Sequence, residues 1–184
     1  MELASVLIIY IILFALGIVG LPFASLIFAK WSDDGYGVAK IIGLLLVGTA
    51  IWFLSSLQIL SFSEPNVVIV FLLFLIISLW LIYKRKIKIK KSYVYTELIT
   101  FALLFVLAFI RSFNPQIEGT EKLMNIGIIN SILRTDFFPP NDIWLSGEKI
   151  NYYYMGHYFI AFLSKLSTLP TYITYNLGIG VIFT

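Results

Sequence analysis

The chain has 184 residues, of which 60% are apolar and only 12% charged, with a mean hydropathy of +0.94; a soluble domain usually carries about a quarter charged residues. That composition excludes an ordinary water-soluble domain and reads as a polytopic membrane protein. The net charge of +3 gathers in one cluster and so reports membrane orientation rather than nucleic-acid binding, while zero cysteines and one histidine exclude disulfides, thiolate metal sites, cysteine nucleophiles and a His-rich metal site.

In chain order, residues 4–29 form a nearly unbroken apolar run, longer than the ~20 residues needed to cross the hydrocarbon core. A signal peptide is the competing reading, but the run lacks a basic n-region and a small-residue cleavage site. Pro22 is expected to kink this first span, and Asp33, Asp34, Gly35 and Gly37 build the turn after it. Residues 38–62 are the second span, with Gly43 and Gly48 as close-approach points between helices. A tight turn at 63–66 leads into the third span at 67–83, which makes the second and third spans antiparallel neighbours. The third ends in KRKIKIKK at 84–91, a strong positive-inside signal that puts this loop in the cytoplasm. Residues 97–113 give a fourth span, short unless Val94 and Tyr95 contribute, so the polar stretch from Arg111 onward is expected to face the exterior.

Within that stretch, Leu123, Ile126, Ile129 and Leu133 recur at helical spacing, which predicts an amphipathic helix over 120–134 lying along the membrane surface. Thr120 is its expected N-cap, and Glu121 suits the helix start. Pro139 and Pro140 mark a turn flanked by Asp136 and Asp142, and Ser146-Gly147 marks another. Residues 152–169 then return as a fifth span, and a sixth begins at Tyr172 and stops at Thr184, from which this is expected to be the amino-terminal part of a longer protein. The reading is therefore an all-α polytopic transmembrane protein with a long external loop containing an amphipathic surface helix. Residues 1–110 hold four transmembrane helices, 111–151 the external loop, and 152–184 the fifth helix and the start of a truncated sixth.

The stretch EGTEKLMNIGIINSILRTDFFPPNDIWLSGEKINYYYMGH resembles the YYY-motif family of polytopic membrane proteins, a domain of unknown function. The resemblance extends to GLPFASLIFAKWSDDGYGVAKIIGLLLVG and KLSTLPTYITYNLG, nearly the whole chain. That family in turn is distantly similar to the GT-C glycosyltransferases, multi-span enzymes that take a sugar from a polyprenyl-phosphate donor at the outer face. In those enzymes the first large external loop carries an acidic residue near the start of a surface helix. The resemblance thus implies Glu121, with Glu118 as the alternative, as the base that takes the acceptor's proton. Its plain alternative is a helix-start charge. Related sequences often carry Asp where this chain has Asn125, four residues after Glu121 on the same face; were that Asp the base, this chain would lack it.

Arg111, Lys122 and Lys149 suit the donor's phosphate and equally suit anchoring by snorkelling. Trp144 and the run Tyr152, Tyr153 and Tyr154 suit stacking on a sugar or an interfacial aromatic belt. His157 suits a proton carrier, a site hydrogen-bond donor or a satisfied interhelical histidine. The residues name no cofactor, and the need for a divalent metal stays open. The partners implied are membrane lipids, a lipid-linked sugar donor and the remaining carboxyl-terminal part of the protein, with no nucleic acid. A transporter subunit is disfavoured because the interior of the first four spans reads as free of acidic and basic side chains. A non-catalytic scaffolding membrane protein also fits the composition. A glycosyltransferase further predicts a groove between the loop helix and the fifth span.

Overall fold

A computed structural model describes residues 3–184. Four long helices, α1 (Leu3–Ile27), α2 (Tyr36–Ser56), α3 (Glu64–Arg85) and α4 (Lys91–Ser112), are each apolar and long enough to cross a membrane. Three shorter helices follow, α5 (Thr120–Leu133), α6 (Met155–Ser167) and α7 (Thr171–Phe183). The chain is an all-α polytopic membrane protein; apart from a single isolated bridge between Asn141 and Lys149, the described residues form no β structure.

Helix α1 is apolar all round, the pattern of a helix enclosed by others, and it packs against α2, α3 and α4. Its closest neighbour is α2. A Cβ on Gly20 would lie 1.9 Å from the Ala39 carbonyl oxygen, and one on Gly43 would lie 1.9 Å from that of Leu16, so only glycine allows the two backbones to approach this far. The carbonyls around Pro22 gain donors from α3: Ser78 Oγ donates to Val19 at 2.9 Å and Arg85 to Pro22 at 3.0 Å. Between α1 and α2, the Asp33 carboxylate accepts from the Gly35 and Gly37 amides and shapes the expected turn.

The expected limits shift in three places. Helix α2 ends at Ser56 because Gln58 turns to φ 58°, and Phe62, expected inside the second span, instead donates its amide to the Asp136 carbonyl at 2.8 Å. Helix α4 starts at Lys91, so Val94 and Tyr95 do extend it and Glu97 lies well inside it. The expected fifth span at 152–169 is only the 13-residue α6. At ~1.5 Å per residue it reaches roughly 20 Å, short of the ~30 Å hydrocarbon core. Its apolar side chains Tyr158, Ala161, Phe162 and Leu163 are buried by protein, in a core shared with Leu16, Ile51, Phe62 and Ile128, rather than presented along a lipid-facing span.

Helix α5 forms where periodicity predicts it, but Gly119 at φ 94° is its N-cap and Thr120 is already helical, so Thr120 is not the cap. Its buried positions are Ile128, Ile129, Ser131 and Ile132, whereas Leu123 is 59% exposed. The helix therefore enters the core with its second half instead of presenting one uniform stripe. Helix α7 runs beside α4 and brings Asn176 to Arg111 and Gly180 against Leu104.

Candidate functional site

The polar stretch 113–154 and α6 gather at the end of the bundle away from the basic loop. Two hairpin arms meet there: the Ile150 amide donates to the Pro140 carbonyl and the Asp142 amide to that of Glu148, each at 2.9 Å. Asp142 Oδ1 accepts from the Trp144 and Leu145 amides at 2.7 and 2.9 Å, and these donors hold its carboxyl below the usual range. Its role in this turn is that of a cap.

Along the seam between α5 and α6, His157 Nε2 lies 2.9 Å from Asn125 Oδ1. With Nε2 as donor, His157 Nδ1 is buried without a partner among the described residues, and burial pushes the imidazole's pKa down. Glu121 sits one turn before Asn125 and is exposed, as is Glu118. The Tyr152 hydroxyl is pushed up first by the Tyr153 hydroxyl beside it and, least of all, by the charge of Glu121. Asn125 and His157 are in contact, Glu121 lies one turn before Asn125, and its charge is the weakest of the influences on Tyr152.

The tyrosine run divides. Tyr152 and Tyr153 stack on each other at 4.2 Å and are exposed, while Tyr154 stacks on Phe138 and accepts from Trp52 Nε1 at 3.0 Å. Tyr154 is thereby part of the packing. The cations scatter as well. Arg111 Nε donates to Asn176 Oδ1 at 2.8 Å and joins α4 to α7, and Lys149 donates to Asn141 Oδ1 at 2.8 Å within the hairpin. Lys122 is half-buried near the start of α5. Trp144 is exposed at the hairpin tip.

A cavity of about 350 Å³ opens on α5 toward the hairpin, lined by Gly127, Asn130, Ser131 and Arg134 from the helix and Asn141, Asp142 and Ile143 opposite. In the sequence Asn130, Ser131 and Arg134 are only polar positions of the predicted helix, and their one signal is the spacing that places Asn130 and Arg134 one turn apart. Lys165 was missed too. It donates to the Phe62 carbonyl at 2.5 Å over the Phe62 ring, and burial pushes its pKa down. Among the described residues no three His, Asp or Glu side chains converge as a metal site.

The bundle itself overturns one expectation. Lys40 of α2 and Glu97 of α4 form an ion pair inside the spans, with side chains only 10% and 13% exposed. Tyr36 and Tyr10 donate to the same carboxylate at 2.5 and 3.0 Å. The interior of the first four spans is therefore not free of ionisable groups. Each charge lies near the end of an apolar run, where a linear reading takes it for a boundary.

Residues 46–184 match the model of a family described as uncharacterized membrane protein (DUF2298). The chain belongs to that family. Membership and the apolar helices together make it an integral membrane protein of the DUF2298 family. No curated protein and no solved structure matches it.

Proposed function

We propose that this DUF2298 protein is a GT-C-like glycosyltransferase module that moves a sugar from a polyprenyl-phosphate donor at the outer membrane face. The observation that carries the reading is an exposed carboxylate, Glu121, one turn before the Asn125–His157 contact that joins α5 to α6. An exposed carboxylate suits an acceptor hydroxyl, whose proton it takes, and the exposed Tyr152 and Tyr153 offer stacking faces for a sugar. Glu118 is the alternative base. The resemblance to the YYY-motif and GT-C layouts agrees with this chemistry.

The ion pair favours a second reading as a transporter subunit, since ionisable groups within spans often mark ion paths. Here Tyr10 and Tyr36 also satisfy the carboxylate, and the whole cluster ties α1, α2 and α4 together, which is the behaviour of a clamp.

The test is transfer of radiolabelled sugar from a panel of polyprenyl-phosphate donors in membranes holding the full-length protein. Glu121→Gln is expected to lower transfer by at least ~10²-fold at equal expression, the ordinary weight of a general base. Transfer that survives both Glu121→Gln and Glu118→Gln would remove the proposed base, and no transfer with any donor would favour the scaffold.

A further inference from the structure

Helices α3 and α4 are consecutive and joined by a short connection, 86–90, yet their backbones do not approach each other among the described residues; Ile82 of α3 packs against the cluster that holds Tyr93 of α4 and Leu21 of α1. The wedge between α3 and α4 is a cleft of about 450 Å³ whose walls include Phe14 and Leu21 of α1, Leu79 and Ile82 of α3, and Val94 of α4. From Phe14 to Leu21 the wall follows roughly 10 Å of helix, most of the ~15 Å hydrocarbon depth of one leaflet.

The polar atoms of the cleft divide by position. At its floor, Glu97 accepts from Tyr10, Tyr36 and Lys40, so the carboxylate has most of its acceptor sites filled and does not call for a polar ligand. At its mouth stands Lys88. Of the other cations in the run, Lys84 lies over the Trp80 ring, Arg85 donates to the Pro22 carbonyl and Lys90 pairs with Asp34 at 2.7 Å, while Lys86 and Lys91 do not line the cleft. Lys88 is exposed and has no ion-pair or hydrogen-bond partner among the described residues.

We infer that this cleft is a binding site for an anionic phospholipid, one acyl chain lying between α3 and α4 and the phosphate meeting Lys88. An apolar trough with one unpaired cation at its mouth complements a molecule with an apolar chain and an anionic head. A polar solute would find only satisfied groups inside. The basic loop around the mouth adds to the attraction for an anionic leaflet. This site is separate from the α5–α6 seam and stands whether or not the protein transfers sugar.

The experiment uses the full chain reconstituted in phosphatidylcholine vesicles with a trace of phosphatidylglycerol bearing a photoreactive acyl chain. Crosslinked residues are then mapped by mass spectrometry. Labelling is expected on Leu79, Ile82 and Val94 above that on the exposed Leu72 and Phe109, with competition by unlabelled phosphatidylglycerol but not by added phosphatidylcholine. Lys88→Glu, an exposed change that leaves the bundle intact, is expected to cut cleft labelling by about fivefold. Even labelling of cleft and outer faces would mean an ordinary lipid shell and overturn the site. Equal labelling by a phosphatidylcholine probe, or no response to Lys88→Glu, would overturn the recognition of the phosphate.

Discussion

His157 shows how much one side chain's surroundings decide. Among the described residues its single partner is Asn125 of α5 and its other ring nitrogen is buried with no acceptor, so a second proton would add a charged N–H that nothing there receives. Burial accordingly lowers its pKa from the ordinary 6.5. The folded chain binds this proton less readily than the unfolded one. Its stabilising effect is complete above the unfolded value and is lost as pH falls through and below it. The protection of amides along α5 and α6, taken relative to their intrinsic exchange rate at each pH, is expected to fall between about pH 7.5 and about pH 5.5, the range in which histidine changes charge. His157→Gln should flatten that response; an equally steep response in the variant would assign it to another group. Asn125 and His157 were both legible as polar residues on helical faces. That they meet was not, because they are 32 residues apart and belong to separate helices.

Among the elements, the four long helices were legible because apolar length alone sets them apart. Helix α6 was not. An apolar run reads alike whether lipid or protein covers it, and only the packing of Tyr158 and Phe162 into a shared core shows which. The clamp was hidden for a related reason, since Lys40 and Glu97 become interior only when α2 and α4 are set beside α1. Removing one partner isolates the other charge in an apolar interior, which costs about 3–5 kcal/mol. Glu97→Ala is therefore expected to lower the midpoint of thermal unfolding in detergent markedly, whereas Lys90→Ala, which breaks the more exposed pair with Asp34, costs only ~0–1 kcal/mol. Lys40→Met combined with Glu97→Gln removes both charges while keeping an acceptor for Tyr10 and Tyr36, and much of the loss should be recovered. If Glu97→Ala unfolds no earlier than Lys90→Ala, the cluster does not clamp these helices.

For the whole molecule the decisive quantity is which end faces the cytoplasm. Helix α4 has 22 residues, ~33 Å at 1.5 Å per residue, enough to hold Lys91 and Glu118 at opposite faces of a ~30 Å core. The run 84–91 carries six of the chain's 13 basic residues, and retention of such a loop in the cytoplasm would put Glu118, Glu121 and the α5–α6 seam outside. Because the chain has no cysteine, Lys91→Cys and Glu118→Cys each create a single reporter without further changes. In intact cells a membrane-impermeant maleimide is expected to label the Glu118→Cys protein alone, and after permeabilisation both. Labelling of both before permeabilisation would mean that α4 does not cross the membrane. The reverse pattern would turn the seam toward the cytoplasm, where a base at Glu121 meets cytoplasmic acceptors, and transfer at the outer face would no longer be compatible with this fold.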